Sequence, residues 1–281
     1  MPSTKIYGVL GYPAKHSLSP AMHNAAFKAL NINAEYIILE IEPQKLNDFL
    51  GSLSEKNISG LNITVPYKEK IIPFLHKISP EAELIGAVNT VKLLGSRFEG
   101  FNTDGEGFLR NLIQDLIFYP KDKNIAIIGA GGAAKAVAVY LSKEKPKAIS
   151  IYDIEKSKLT DLIAHLKKNF SEVDYKAADS IAELGIETRD LLINATPIGM
   201  KDADCCLVDD KLLHKGLLVC DLIYNPPETK LLKTAKQKGA RISNGLGMLL
   251  YQGARSFELW TEREAPVAIM REALEKEVKK L

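Results

Sequence analysis

The segment 124–134 constrains this chain more than any other. NIAII (124–128) is an apolar run of strand length, GAGGAA (129–134) follows it at once, and an Ala-rich helical pattern continues to position 141. A strand that enters a helix through a glycine turn is the opening of a parallel α/β unit. The spacing is GxGxxG/A, with Ala134 in the third place. Gly129 permits the tight turn, and Gly131 leaves room for a pyrophosphate to approach the backbone. Ala134 is small enough for close helix–sheet packing, and the helix N-terminus favours the anion. Gly129, Ala130, Gly131, Gly132 and Ala133 are therefore candidate cofactor-binding residues.

An acid, Asp153, ends the next strand pattern (148–152), about 24 residues after Gly129 and close to the ~20 expected for a ribose 2′-OH acceptor. A carboxylate there accepts from the 2′-OH of NAD and repels the 2′-phosphate of NADP. Lys156 and Lys158 are near enough in sequence to hold a phosphate, or simply begin a solvated helix. No Arg lies between Arg110 and Arg189, so a bidentate phosphate clamp is missing. The balance favours NAD over NADP.

The rest of the chain alternates similarly. Positions 5–10, 35–41 and 61–65 read as strands, with helices at 19–30, 43–54 and 67–75. Ser19 is placed to cap the first helix and Pro20 to start it. The runs 88–94 and 97–101 flank Gly95-Ser96 and read as a hairpin. After the glycine loop come strands at 191–193 and 217–224 and one near Arg241. Helices are expected at 156–169, 229–238, 246–260 and 266–280. The last two are expected to pack back on the first unit. The fold class is α/β: an N-terminal mixed α/β substrate domain plus a Rossmann dinucleotide-binding domain. A chain of 281 residues is long enough for two such units.

The formal net charge is only +2, from 37 Lys plus Arg against 35 Asp plus Glu, which speaks against a nucleic-acid partner. No apolar stretch reaches membrane-spanning length. The first residues do not read as a signal peptide. Cys205, Cys206 and Cys220 are odd in number and lack CxxC spacing, so a reducing cytoplasm suits them and no metal site is expected. The vicinal pair Cys205-Cys206 reads as a loop feature.

Polar clusters close the strands of the first unit, where ligands bind in parallel α/β sheets. The motifs are GYPAKHSLSPAMHN (11–24), NITVPYK (62–68), GAVNT (86–90) and GFNTDGEG (100–107). They continue with GAGGAAKA (129–136), NATPIGM (194–200), DLIYNPPETKLL (221–232) and GLGMLLYQGARSFELWT (245–261). In this order and over nearly the whole chain they resemble the shikimate dehydrogenase family and its quinate/shikimate relatives. The resemblance implies reversible reduction of 3-dehydroshikimate to shikimate with NADP or NAD, in aromatic amino-acid biosynthesis. It also implies two domains about a deep cleft: 1–104 with 243–281 for the substrate, and 105–242 for the dinucleotide.

Lys68 and Asp104 match the family's catalytic pair. Hydride transfer to a ketone leaves an alkoxide that must gain a proton, and a Lys held by a carboxylate can supply it. Without the resemblance, Lys68 reads as a solvated lysine and Asp104 as a helix cap. Ser17 and Ser19 match the substrate-carboxylate positions. The first Arg of the chain is Arg97, so these clusters offer hydroxyls, amides and Lys but no guanidinium clamp. Asn62, Thr64, Asn89 and Gln252 match hydrogen-bonding partners of the ring hydroxyls. Tyr224 is a further substrate candidate by resemblance, or a strand-end packing residue. Thr196, Gly245 and Met248 match positions near the nicotinamide. His16 and His23 are read as structural.

Two features depart from the family pattern. Where NADP-dependent members usually carry Asn-Arg-Thr/Ser, this chain has YDIEK (152–156), which admits NAD and, with it, quinate. Glu262 stands where Gly is common. The alternatives are an NAD-dependent quinate/shikimate dehydrogenase and a non-catalytic nucleotide-sensing protein. Intact Lys68 and Asp104 argue against the last. The expected partner is a small molecule, with the chain acting as a monomer or homodimer.

Overall fold

The computed structural model describes residues 3–53, 56–201 and 203–280. The chain divides into two compact units, one running up to Gly107 and resuming over Leu249–Lys280, the other Phe108–Met248. These borders lie a few residues beyond the 104/105 and 242/243 that the sequence predicts.

In the first unit the order is β1 (Lys5–Gly11), α1 (Ser19–Ala29), β2 (Ala34–Glu40), α2 (Leu46–Gly51), β3 (Ile58–Ile63), β4 (Lys77–Ile78), α3 (Pro80–Ile85), β5 (Thr90–Leu94), β6 (Arg97–Phe101) and the start of α4 (Asp104–Arg110). The sheet order is β2-β1-β3-β5-β6-β4. β1 pairs parallel with β2 and β3, while β5 pairs antiparallel with β3 and with its hairpin partner β6.

Every residue of β1 from Tyr7 to Gly11 is buried, as expected of a strand covered on both faces. One face carries Leu10, Leu61, Ile63 and Val91 against Leu46 and Leu50. On the other, Tyr7, Phe27, Tyr36, Phe257 and Trp260 form an aromatic cluster. Trp260 also donates from Nε1 to the Val91 carbonyl at 3.0 Å. A Trp260→Ala truncation there costs about 3–5 kcal/mol.

The second unit holds β7 (Asn124–Ile128), α5 (Gly132–Lys143), β8 (Ala148–Tyr152), α6 (Lys156–Asn169), β9 (Asp174–Ala177), β10 (Leu191–Asn194), β11 (Leu218–Asp221), α7 (Lys230–Gln237) and β12 (Arg241–Ser243). Its sheet is wholly parallel in the order β12-β11-β10-β7-β8-β9. The chain winds outward from β7 to β9, then returns to β10 beside β7. That reversal is the topological switch point where open α/β sheets bind ligands, beyond the carboxyl ends of the strands.

α8 (Leu246–Thr261) and α9 (Val267–Val278) close the chain. Residues 249–280 belong to the first unit, and α9 packs on α1. Among the described residues no helix is long and apolar enough to cross a membrane.

Several expected elements change. The stretch 67–75 forms no α-helix, only one tight turn at Ile72–Phe74. Pro73 has no N–H to donate, and Tyr67 is fully buried in the core instead. The helix expected at 43–54 is a tight turn, Pro43–Lys45, followed by the short α2; its end at Ser54 lies outside the described residues. The strand expected at 61–65 is shifted to Ile58–Ile63, with Val65 projecting at 67% exposure. Ser19 does not cap α1 with its side chain; instead Ser17 Oγ accepts from the Ser19 N–H at 3.3 Å. The strands β4 and β9 and helix α3 are short or polar and carried no clear period.

His23 is buried with both ring nitrogens unpartnered. Its ring stacks on Tyr36 at 4.3 Å and 6°. Burial pushes its pKa down to about 3, so the ring is neutral and serves as packing.

Candidate active site

Two clusters of polar residues form, one in each unit. In the first, strand ends bring the groups together. Ser17 and Ser19 follow β1, Asn62 and Thr64 end or follow β3, and Asn89 precedes β5, which pairs with β3. Asp104 is the first residue of α4, and its backbone N–H is received by Asn102 Oδ1 at 3.1 Å. Asn102 in turn donates to the Ala87 carbonyl, so the loop before α4 is tied to the GAVNT turn.

Lys68 Nζ donates to Asp104 Oδ2 at 2.5 Å. Their side chains are 18% and 6% exposed. Asp104 Oδ1 accepts from Asn89 Nδ2 at 2.9 Å, so both carboxylate oxygens face a donor. Asn89 Nδ2 also reaches Thr103 Oγ1 at 2.9 Å and Gln252 Oε1 at 3.3 Å. A backbone bond from Val88 N–H to the Lys68 carbonyl at 2.8 Å fixes the lysine's main chain beside the same turn. Lys68, Asp104, Asn89 and Gln252 thus form one bonded group. A lysine ammonium has three protons, and Asp104 takes one, so the others can serve a bound oxygen.

Asn62 sits deeper. Its Oδ1 accepts from Tyr36 Oη at 2.7 Å, and its Nδ2 donates to Asn89 O, Thr90 Oγ1 and Ser256 Oγ at 3.2, 3.2 and 2.9 Å. Its amide nitrogen is engaged inside the protein, and Oδ1 keeps a second lone pair. Ser17, Ser19 and Thr64 share the edge formed by the ends of adjacent strands β1 and β3; Ser17 and Thr64 are half-buried and Ser19 buried.

In the second unit the candidates all lie beyond the carboxyl ends of parallel strands. The glycine loop follows β7, Asp153 follows β8, Thr196 β10, Tyr224 β11 and Gly245 β12. Gly129 has φ +114°, and a Cβ there would stand 3.0 Å from the Ala195 carbonyl oxygen, so only glycine makes this turn. Gly131 differs: a Cβ there would meet nothing within 4 Å. Gly132 and Ala133 open α5, whose N-terminus carries no side-chain cap, leaving its first N–H groups for an anion. Ala134, Ala136, Val137 and Ala138 are its buried face.

Asp153 Oδ2 accepts from the Ala130 N–H at 2.6 Å and Oδ1 from the Glu155 N–H at 2.7 Å. Each carboxylate oxygen can accept twice, so the group can still take a hydroxyl. The two nearby lysines are engaged with acids: Lys156 with Asp179 at 2.9 Å and Lys158 with Glu155 at 2.6 Å. This donor set suits a nicotinamide dinucleotide: open space beside Gly131, uncapped helix N–H groups and a carboxylate on the loop.

Thr196 is held by Asn194 Oδ1, which accepts from its N–H at 3.0 Å and its hydroxyl at 2.7 Å. Asn194 Nδ2 reaches Asp221 Oδ1 at 3.0 Å, and Thr229 donates to Asp221 Oδ2 at 2.7 Å. Burial raises the Asp221 pKa against these donors. The brace fixes the loops after β10 and β11. Tyr224, half-buried beyond β11, has its phenol pKa raised by burial. A Cβ on Gly245 would lie 2.1 Å from the Leu222 carbonyl oxygen, so the backbones touch there. Met248 is buried.

The candidates drawn from the sequence omitted Tyr36, Thr90, Thr103 and Ser256 in the first unit and Asn194, Asp221 and Thr229 in the second. Ser256 lies four residues after Gln252 and so on the same helix face. The others sit in motifs already noted, or, for Tyr36, inside an apolar strand where a tyrosine reads as packing.

The chain is similar to known proteins along most of its length. The family profile described as shikimate dehydrogenase substrate binding domain matches residues 9–91, and that described as shikimate 5′-dehydrogenase C-terminal domain matches residues 245–275. Residues 125–206 match a saccharopine dehydrogenase NADP binding domain. A protein of Methanopyrus kandleri named shikimate dehydrogenase (NADP(+)) is 44% identical, covering 96% of this chain and 95% of its own. A crystal structure of a shikimate dehydrogenase in complex with NADP+ superposes with TM-score 0.90 at 39% identity, covering 98% of this chain and 96% of that one. The shikimate 5-dehydrogenase of Listeria monocytogenes, in complex with shikimate and NAD, gives 0.87 at 34% identity, over 98% and 97%. Identity of this extent, on a shared two-unit fold with a part-buried Lys–Asp pair and a strand–glycine loop–helix, places the chain in the shikimate dehydrogenase family.

Proposed function

We propose that this protein is a shikimate dehydrogenase, interconverting 3-dehydroshikimate and shikimate with NADP or NAD in aromatic amino-acid biosynthesis. The observation that carries the reading is the Lys68–Asp104 pair, bonded at 2.5 Å and flanked by Asn89 and Gln252. The dinucleotide, when bound, supplies the hydride in reduction and takes it in oxidation.

The chain's own residues handle the proton and the substrate. Lys68 protonates the oxygen that becomes the new hydroxyl, and takes that proton back in the oxidative direction. Asp104 keeps the ammonium in place and balances its charge. Asn89 and Gln252 offer amide groups to the ring hydroxyls. Ser17 and Ser19 receive the carboxylate, Asn62 and Thr64 join Asn89 and Gln252 at the ring hydroxyls, and Tyr224 is a further substrate contact. In the second unit the glycine loop, Thr196, Gly245 and Met248 hold the dinucleotide.

The same geometry favours NAD over NADP. Asp153 lies on the loop amide of Ala130, and both neighbouring lysines are paired with acids. A 2′-phosphate would meet a carboxylate with no guanidinium to offset it. The three cysteines are unpaired, which fits a reducing cytoplasm.

The test is Lys68→Ala. Losing a positioned general acid–base lowers kcat by about 10²–10⁴, with a much smaller change in KM for shikimate. Near-normal turnover in a folded Lys68→Ala protein would sink the assignment.

A further inference from the structure

Ser256 lies one turn beyond Gln252 on α8 and is fully buried. Its Oγ has four polar neighbours. The Gln252 carbonyl is at 2.9 Å, Asn62 Nδ2 at 2.9 Å, Thr90 Oγ1 at 2.7 Å and Thr103 Oγ1 at 3.2 Å. A carbonyl only accepts, so the single Ser256 proton goes to Gln252 O. Its two lone pairs take the Thr90 and Thr103 hydroxyls, while Asn62 Nδ2 has the Asn89 carbonyl and Thr90 Oγ1 for its two protons.

Groups of fixed polarity then set the remaining directions. The Asn89 backbone carbonyl, an acceptor at 3.2 Å, turns Asn62 Nδ2 inward and Oδ1 onto the Tyr36 hydroxyl. The Thr103 N–H, a donor at 2.8 Å, turns Asn89 Oδ1 toward itself. That leaves the two Asn89 Nδ2 protons for the nearer acceptors, Asp104 Oδ1 and Thr103 Oγ1, both at 2.9 Å, rather than Gln252 Oε1 at 3.3 Å. Thr103 therefore accepts from Asn89, and its own proton has to be drawn elsewhere. Ser256 is placed to draw it, together with the proton of Thr90.

We propose that Ser256 is a positioning residue: by receiving the Thr90 and Thr103 hydroxyls it holds the Asn89 amide on Asp104, and through Asp104 it steadies Lys68. The activity arm of this inference rests on the function proposed above. Without Ser256 the Thr90 and Thr103 hydroxyls turn to Asn89 Oδ1, at 3.1 and 3.2 Å. There they compete with the Thr103 N–H.

The experiment compares Ser256→Ala and Ser256→Cys, whose thiol is a weak acceptor, alone and in an Asn89→Ala background. Each single variant is expected to lower kcat for shikimate oxidation about tenfold, equivalent to about 1.4 kcal/mol, with the Kd values for shikimate and nucleotide within twofold. In the Asn89→Ala background, Ser256→Ala is expected to change kcat by less than twofold. A full additional loss there overturns the inference, because Ser256 would then act by another route. A readout free of turnover is the 1H–15N signal of the Asn89 side-chain amide, which moves in both single variants. An unmoved signal with unchanged kcat also overturns it. A wild-type protein without shikimate turnover contradicts the proposed function, and the amide signal alone then decides the role of Ser256. If Ser256→Ala fails to fold, Ser256→Cys carries the same expectations.

Discussion

Gly131→Val separates the demands of the fold from those of a ligand. Gly131 has φ −75° and ψ −175°, a conformation any L-residue adopts. A Cβ there meets no protein atom within 4 Å. The folded state therefore has no steric objection, and the stability change should stay within about 0.5 kcal/mol. A ligand pyrophosphate is affected differently. To bond the N–H groups that open α5, it must approach within about 3 Å of the backbone, and a valine side chain occupies that approach. Hydrogen bonds to charged groups contribute about 1.5–3 kcal/mol each. Losing even one or two gives roughly 3 kcal/mol, or about a hundredfold weaker Kd. Titration calorimetry with NAD and NADP reads the affinity, and urea unfolding reads the stability. The account expects Kd to rise about a hundredfold while the unfolding midpoint and shikimate binding hold. Unchanged nucleotide affinity in a folded Gly131→Val protein would refute the placement of the cofactor on this loop. Gly129→Ala is the contrast: with φ +114° and the Ala195 carbonyl 3.0 Å away, it should destabilise the fold itself.

Other consequences can be measured separately. Burial holds the His23 pKa at about 3 against 6.5 unfolded, so the unfolded chain takes up the proton first as pH falls. That part of stability is complete above pH 6.5 and is lost toward pH 3. Between pH 7.5 and 5 the loss is about 2 kcal/mol; His23→Leu should flatten the slope of urea stability against pH, and an equally steep slope would contradict it. Asp153→Ser removes the charge facing a 2′-phosphate and should raise kcat/KM for NADP relative to NAD by about tenfold or more, read by initial rates with each nucleotide; an unchanged ratio would show that Asp153 does not set the preference. Ile117, a β-branched residue at φ +47° with its side chain 64% exposed, should be replaceable by Gly with a gain of about 1 kcal/mol in urea unfolding; a loss would mean that its side chain holds something down.

The elements that the sequence revealed share one trait: their period or punctuation is local. NIAII followed by GAGGAA shows a strand and a helix start without help from the rest of the fold. The helix at Lys156–Asn169 and the hairpin around Gly95-Ser96 are equally self-contained. Tyr67 to Leu75 misled because a charged stretch leading into Ile71 and Ile72 looks helical until Pro73 interrupts it and tertiary burial claims Tyr67. β4 has only two residues, paired to β6, and so has no period to read. Glu262 is explained only in three dimensions: its backbone is left-handed, φ +56°, and its carboxylate meets Lys92 at 2.8 Å.

The candidate site divides in the same way. Lys68, Asp104 and Asn89 were recognised by motif, yet the motif does not say that Asn89 bridges Asp104 to Gln252, a residue 163 positions away. Asn62 was expected to bond a ring hydroxyl, and the motif does not say that its amide also reaches Tyr36, Asn89, Thr90 and Ser256. Such contacts join distant strand ends to α8, and no window of sequence contains both partners.

The most direct test of the central claim is a steady-state comparison of the wild-type protein with shikimate and quinate, each with NAD and NADP. The account predicts turnover of shikimate, with kcat/KM higher for NAD than for NADP and quinate the poorer substrate. Turnover of quinate without shikimate, or no turnover of shikimate with either nucleotide, would contradict it.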